Sequence, residues 1–203
     1  MHRGGRLLRP TIAYETWGEL NDRRDNAVLI FTGLSPSAHA TSSPADPSPG
    51  WWEEIIGPGR SIDTRRYFVI CVNSLGSCFG STGAASVDPE TGKPYRLTFP
   101  VLSLEDVARG SWEVLQHLGI ERLRAVLGPS MGGMSALAFE ILFPGASDGL
   151  VVISSGPRSL AFATALRSLQ REMIRRDPNW QDGSYDSDTM PLVGMRLARK
   201  LGM

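Results

Sequence analysis

The sequence has 203 residues, of which 41% are hydrophobic and 21% are charged, enough ordinary globular chain for one sizeable core. Basic and acidic residues number 21 each, so no net charge exists to attract nucleic acid or an anionic membrane surface. The two cysteines form no metal-ligand pattern, which predicts reduced thiols, no metal site and a cytoplasmic location. We find no apolar run of the length that a signal peptide or membrane span needs, so the sequence predicts a soluble protein.

The predicted elements alternate between strands and helices along the chain. Strands are predicted at residues 14–18, 27–31, 67–72, 124–127 and 150–154, and helices at 103–118, 134–142, 159–176 and 190–201. The apolar runs from residue 27 onward are short and continuous, which is typical of strands covered on both faces. Alternating strands and helices predict an α/β fold with a mostly parallel sheet and flanking helices, to which residues 14–18 add an antiparallel strand.

Two long loops and a change of pattern suggest how the chain is organised. Residues 33–58 are rich in serine, proline and alanine, and residues 73–100 are rich in glycine; loops of this length usually shape a site. After residue 158 the pattern becomes one of amphipathic helices. We therefore predict a core over residues 1–158 and the beginning of a helical lid over residues 159–203.

A nucleophile motif lies between the fourth strand and the following helix. Gly128-Pro-Ser130-Met-Gly132 fits G-x-S-x-G in the strand-turn-helix context that an α/β-hydrolase fold requires. The flanking glycines permit a close, strained turn that projects the serine hydroxyl from the sheet. The backbone N–H of Met131 is expected to stabilise an oxyanion, with a second donor from Leu34 or Ser35 after the second strand, of which we favour Leu34.

The sequence offers no obvious base for this serine. A nucleophilic serine needs a histidine oriented by a carboxylate, and in this fold both follow the serine in the chain. His2 and His117 are interpreted as solvent or packing residues, and His39 as a residue that structures its loop. The histidine and its acidic partner are therefore expected beyond residue 203, which makes this chain the amino-terminal half of a longer protein.

Several segments together resemble the homoserine O-acetyltransferase family, which includes serine and homoserine O-succinyltransferases. The matching segments are residues 14–18 (YETWG), 49–52 (PGWW), 57–59 (GPG), 63–64 (DT), 67–68 (YF), 73–76 (NSLG), 80–83 (GSTG) and 128–134 (GPSMGGM). The resemblance implies that an acyl group passes from acyl-CoA to Ser130 and then to the hydroxyl of an amino acid. It also implies that Arg171 binds the amino-acid carboxylate, that acyl-CoA is a co-substrate with no bound cofactor, and that the protein is a homodimer.

Two features point to the succinyltransferase branch of this family. Residues 32–39 (TGLSPSAH) resemble that branch acting on serine, which places Ser35, Pro36, Ser37 and Ala38 at the substrate. Arg167 lies one helical turn before Arg171, so both guanidinium groups can reach one side of the helix. One can pair with the amino-acid carboxylate and the other with the free carboxylate of a succinyl group, unless Arg167 belongs to a solvated basic face.

Three functions stay open on the sequence. The leading hypothesis is an acyl-CoA-dependent O-acyltransferase that moves succinyl, or acetyl, to serine or homoserine in cysteine or methionine biosynthesis. A serine esterase or thioesterase of the same fold would use water in place of the amino acid. A catalytically inactive module would explain the missing histidine and acid.

Overall fold

The computed structural model describes residues 1–202 and contains seven strands and four α-helices. The strands are β1 (Tyr14–Trp17), β2 (Ala27–Phe31), β3 (Ile56–Gly57), β4 (Ile62–Asp63), β5 (Phe68–Val72), β6 (Ala125–Pro129) and β7 (Leu150–Ile153). The helices are α1 (Leu104–His117), α2 (Met131–Leu142), α3 (Ala161–Arg175) and α4 (Leu192–Leu201), with short 3₁₀ helices at Arg96–Thr98 and Pro178–Gly183. All predicted strands and helices are present, with ends that differ by at most three residues.

The main sheet has five strands in the order β1-β5-β2-β6-β7. Strand β1 pairs antiparallel with β5, and the other neighbours are parallel. The central strand β2 aligns Leu29 with Ile70 of β5 on one side and with Val126 of β6 on the other. This confirms the predicted α/β fold with a mostly parallel sheet and an antiparallel first strand.

Aromatic side chains fill the core between the sheet and helices α1 and α2. Phe31 and Phe139 are almost fully buried and meet edge to face with ring centroids 5.9 Å apart. Trp112 of α1 stacks on Phe143 at 4.4 Å, next to the same cluster. Large aromatic surfaces removed from water stabilise this layer, which holds α2 against the strand that precedes it.

Strand β7 differs from the expectation that the apolar strands are covered on both faces. Leu150, Val151 and Ile153 are each about two-fifths exposed, whereas every residue of β2 is buried. Within residues 1–202, β7 forms one edge of the sheet and pairs only with β6. An apolar sequence run therefore did not guarantee burial, because burial depends on what packs outside the strand.

Helices α3 and α4 pack mainly against each other beyond the sheet. The carboxylate of Asp177, in the segment that joins them, accepts a 2.7 Å hydrogen bond from the backbone N–H of Gly194 in α4. The predicted division between a core and a lid at residue 158 stays a prediction. No helix within residues 1–202 combines the length and apolar character needed to cross a membrane.

Candidate active site

Ser130 forms the sharp turn between β6 and α2. Its backbone has φ 54° and ψ −121°, a left-handed conformation that costs a non-glycine residue about 1–3 kcal/mol. Two contacts hold this turn: the Ser130 N–H donates to the Ile153 carbonyl at 2.9 Å, and the Ser130 carbonyl accepts from the Gly133 N–H at 3.0 Å. The side chain is exposed at the carboxyl edge of the sheet, where a reacting group can approach it.

The glycines on either side of Ser130 are required by close backbone approach. A Cβ at Gly128 would collide with the Gly132 carbonyl, and a Cβ at Gly132 would lie 2.8 Å from the Thr32 carbonyl oxygen and closer still to that of Phe31. Helix α2 therefore starts directly against the end of β2. That contact brings the first turn of α2 beside the loop that follows β2.

The two backbone N–H groups predicted to bind an oxyanion belong to Met131, the residue after Ser130, and to Leu34, which lines the same cavity as Ser130. Met131 is the first residue of α2, where N–H groups have no partner within the helix and the helix dipole favours negative charge. Leu34 follows β2, and its side chain is 64% exposed at the same cavity as Ser130. Within residues 1–202, neither of these N–H groups donates a hydrogen bond, so both are available to a ligand.

Ser130 faces a cavity of about 660 Å³ between the sheet and the α3–α4 pair. Three parts of the chain line it: the segment after β2, the serine turn, and the inner faces of α3 and α4. The lining residues are Gly33, Leu34, Ser35, Pro36, Trp51, Trp52, Pro129, Ser130, Arg167, Gln170, Ile174, Met195, Ala198, Arg199 and Gly202. None of these described lining residues carries a carboxylate, whereas two carry guanidinium groups, so the cavity is suited to anionic ligands.

The structure brings Arg167 to this cavity, together with an arginine that the sequence did not single out. Arg199 of α4 lines the same cavity as Arg167, whereas Arg171 of α3 lies outside the lining; all three side chains are exposed. The cavity-facing stripe of α3 runs through positions 167, 170 and 174. At about 100° per residue, Arg171 is rotated by about 70° from the middle of that stripe. The role assigned to Arg171 stays a prediction, and Arg199 is the second arginine of the cavity lining.

Arg199 was missed because the sequence does not show which face of α4 is inward. The only available signal was the basic character of the end of that helix, which equally fits a solvated surface. Gln170 supports the local arrangement, since its side-chain amide donates to the Ala198 carbonyl at 2.8 Å, and its carbonyl accepts from Arg167 at 2.8 Å. One residue therefore connects the two helices that carry the guanidinium groups.

The predicted substrate segment from Ser35 to Ala38 divides into two parts. Ser35 and Pro36 line the cavity, whereas the half-buried Ser37 and the buried Ala38 lie outside its lining. The Ser37 carbonyl accepts from the indole N–H of Trp51 at 2.9 Å, and the buried Ala38 donates its N–H to the Asn73 side chain at 2.7 Å. The second pair of residues thus anchors the segment that presents the first pair.

A carboxylate organises the far end of the same loop. Glu53 accepts hydrogen bonds from the N–H and hydroxyl of Ser42, from the N–H of Gly50 and from the hydroxyl of Thr41, at 2.7 to 3.1 Å. These bonds, first the one from the Ser42 N–H, lower the pKa of Glu53 to about 2. Trp51 and Trp52, whose rings lie 4.8 Å apart, are held at the cavity between these two anchoring regions.

None of the three histidines lies at this cavity. His2 is 3.7 Å from Glu105, His117 is exposed at the end of α1, and the ring of His39 is engaged between Glu15 and Ser48. Within residues 1–202, no group of three or more histidine, cysteine, aspartate or glutamate side chains could hold a metal ion. The described site therefore contains a serine hydroxyl, backbone N–H groups without a partner and two guanidinium groups.

A serine on a strained strand-to-helix turn, followed by a helix whose first N–H groups are available, is typical of enzymes that transfer or hydrolyse acyl groups through a serine. The chain belongs to the α/β-hydrolase fold family, whose model matches residues 26–203.

The proteins similar to this chain include two acyltransferases and an esterase. The chain is 57% identical over 203 residues to the serine O-succinyltransferase of Litchfieldella anticariensis, covering all of this chain and 55% of that protein. The structure of homoserine O-acetyltransferase from Bacillus anthracis matches with a TM-score of 0.88 and 36% identity, over 94% of this chain and 53% of that one. Esterase E22 matches with a TM-score of 0.87 and 37% identity, over 95% and 54%. The chain thus spans about half the length of the proteins it matches.

Proposed function

We propose that this chain carries the acyl-transfer nucleophile of an O-succinyltransferase, which moves a succinyl group from succinyl-CoA to the side-chain hydroxyl of L-serine. The observation that carries the proposal is the cavity that combines Ser130 with two guanidinium groups and no lining carboxylate. The 57% identity to a serine O-succinyltransferase, against 37% to an esterase, supports transfer to an amino acid over transfer to water. L-Homoserine is the alternative acceptor, since it differs by one methylene.

The reaction would proceed in two balanced steps. The Ser130 hydroxyl attacks the thioester carbonyl, its proton leaves to a base, and the C–S bond breaks to release CoA as its thiol. The hydroxyl of the amino acid then attacks the Ser130 ester and loses its proton to the base, the bond between the acyl carbon and the Ser130 oxygen breaks, and that oxygen takes up a proton to regenerate the serine. In both steps the N–H groups of Met131 and Leu34 stabilise the oxyanion on the acyl carbon.

The base for Ser130 is part of this proposal. Such a serine requires a histidine held by a carboxylate, and none of the three histidines of this chain lines the cavity. We propose that both groups come from the part of the relatives' length that this chain does not span.

Two guanidinium groups suit a reaction with two carboxylates. We assign Arg167 to the free carboxylate of the succinyl group and Arg199 to the carboxylate of the amino acid. Arg167 lies on α3 and Arg199 on α4, and both line the cavity that Ser130 faces, which supports binding of both anions while the acyl carbon lies at Ser130. An acetyl group has no carboxylate, and Arg167 would then have no ligand during acylation.

The substrates, oligomeric state and location of the whole protein are also part of the proposal. We propose small-molecule substrates with acyl-CoA as co-substrate and no bound cofactor, and a homodimer acting in the cytoplasm in cysteine or methionine biosynthesis. Free thiols at Cys71 and Cys78 are in keeping with a reducing compartment. Leu160, Phe162 and Val193 of the α3–α4 region are more than 60% exposed, which supports pairing of two copies through these helices. A monomer in sedimentation equilibrium would refute the dimer.

The covalent intermediate provides the primary test. The intact protein is mixed with succinyl-CoA without acceptor, and its mass is measured for one succinyl adduct, with Ser130→Ala as the control. We expect an adduct on the parent protein alone, discharged by L-serine. CoA release at the same rate with and without an amino-acid acceptor would favour the esterase or thioesterase alternative. The absence of any adduct with succinyl-CoA or acetyl-CoA would favour an inactive module.

A further inference from the structure

We propose that His39, held as an imidazolium between Glu15 and the Ser48 carbonyl, is a positioning residue that fixes the loop of residues 33–52 over Ser130. The imidazole Nδ1 lies 2.9 Å from a carboxylate oxygen of Glu15 on β1, and Nε2 lies 2.8 Å from the backbone carbonyl of Ser48. His39 itself does not line the cavity. Its effect on the reaction is therefore exerted through the loop.

The protonation state follows from the partners of the ring. An ionised carboxylate and a carbonyl are both acceptors only, so each ring nitrogen must carry a proton for both contacts to be hydrogen bonds. The hydroxyl of Ser48, 3.3 Å from Nε2, donates instead to Asp46 at 2.7 Å. A neutral ring would set a lone pair of His39 against one of the two acceptors, and that contact would be lost.

The charged surroundings favour the same state. The Ser48 carbonyl, followed by the Glu15 carboxylate, raises the pKa of His39, and the charges of Glu15 and Asp46 act in the same direction while burial opposes them. Asp46 is 3.7 Å from Nδ1. On β5, behind Glu15, burial raises the pKa of the Cys71 thiol, so this group stays neutral. The acidic groups around the ring therefore all stabilise the imidazolium.

The position of His39 in the loop links it to the cavity. Its neighbours in the chain are both anchored, Ala38 through Asn73 and Ala40 through its carbonyl, which accepts from the Trp52 N–H at 2.8 Å. The two ends of the 33–52 loop line the cavity, from Leu34 at one end to Trp52 at the other. The hydrogen bond from His39 to Glu15 connects the middle of the loop to β1. The position of the Leu34 N–H therefore depends on this bond.

Loss of the imidazolium proton has a defined consequence. Because the pKa of His39 is raised in the folded protein, its stabilising effect is complete below the unfolded value of about 6.5 and is lost as pH rises through the folded value. We therefore expect an alkaline decline in the reactivity of Ser130 that originates outside the cavity. This inference depends on Ser130 being a nucleophile and is independent of which acyl group it carries.

The test measures the rate at which a fluorophosphonate labels Ser130 in the intact protein as a function of pH. The parent protein should show the alkaline decline. Glu15→Gln should lose it, because a glutamine amide can donate to neutral Nδ1 while Nε2–H still donates to Ser48. His39→Gln should label about tenfold more slowly at all pH values without an alkaline decline. His117→Gln, a change at an exposed histidine, is the matched control and should follow the parent.

A second measurement keeps the inference testable without any chemistry at Ser130. Hydrogen exchange of residues 33–52, corrected for intrinsic rates, should lose protection above the His39 titration in the parent and retain it in Glu15→Gln. An unchanged alkaline decline in Glu15→Gln, or parent-like labelling and protection in His39→Gln, would overturn the proposal. A failure to form a succinyl adduct with normal fluorophosphonate labelling would instead count against the proposed acyl donor.

Discussion

Replacing Gly132 by alanine should separate α2 from β2 and disable Ser130. The added Cβ would lie 2.8 Å from the Thr32 carbonyl oxygen and closer to that of Phe31, where an ordinary contact begins at 3.4 Å. The two elements must therefore part by at least about 0.6 Å. Overpacking of this kind costs about 1–3 kcal/mol, and a displacement approaching 1 Å at a nucleophile lowers a rate by up to about 100-fold.

Two measurements on the intact protein check this expectation. Urea unfolding gives the free-energy difference, and acylation of Ser130 by p-nitrophenyl acetate gives the rate. Gly149→Ala is the matched control, since its Cβ would meet no atom closer than 3.8 Å and the same entropy change of the unfolded chain applies. If Gly132→Ala unfolds and reacts like Gly149→Ala, the argument from close backbone approach is wrong.

Four further substitutions test the core, the loop and the cavity. Phe139→Ala removes the edge contact with Phe31 and should lower the free energy of unfolding by about 3–5 kcal/mol, measured by urea denaturation. The pKa of Glu53 is lowered to about 2, so this carboxylate stabilises the folded state fully above its unfolded pKa of 4.5, and that stabilisation is lost as pH falls toward 2. In Glu53→Gln, the free energy of unfolding should therefore depend less on pH across that range. Arg167→Gln should reduce kcat/KM for succinyl-CoA by about 10- to 100-fold and leave kcat/KM for acetyl-CoA unchanged. Arg199→Gln should raise KM for the amino acid. If each substitution affects succinyl-CoA and the amino acid equally, the assignment of the two arginines is wrong.

The competing assignment of Arg171 can be decided on the same helix. Arg171→Gln should leave both half-reactions near the parent rates if the cavity geometry is the better guide. A loss of amino-acid binding in Arg171→Gln, with none in Arg199→Gln, would restore the role that family resemblance implied. Arg175→Gln is the control for removal of one positive charge from α3.

The sheet and the serine turn could be predicted because both depend on local sequence. A continuous apolar run such as residues 27–31 can be satisfied only by burial, and the G-x-S-x-G spacing around Ser130 has few alternative meanings between a strand and a helix. The start of α2 was placed late, at residue 134, because Gly132 and Gly133 have poor helix propensity. Close packing against β2 and Ser155 selects glycine there.

The cavity wall could not be predicted to the same degree. Which arginine faces Ser130 depends on the rotation of α3 and α4 about their axes, and this is set by contacts such as the one from Gln170 to Ala198. Strands β3 and β4 have two residues each and pair only with each other, which is too short for a periodic sequence pattern to predict them. The role of His39 likewise required knowing that Glu15, 24 positions earlier, lies beside it.

Two parts of the structure that pack largely independently form the walls of the cavity. Ser130 and its backbone donors belong to the sheet and the helix packed on it, whereas Arg167 and Arg199 belong to α3 and α4, which pack mainly on each other. Substitutions in the helical pair can therefore change the lining of the cavity while leaving the serine turn intact. Such an arrangement lets the lining of the cavity change at little risk to the fold.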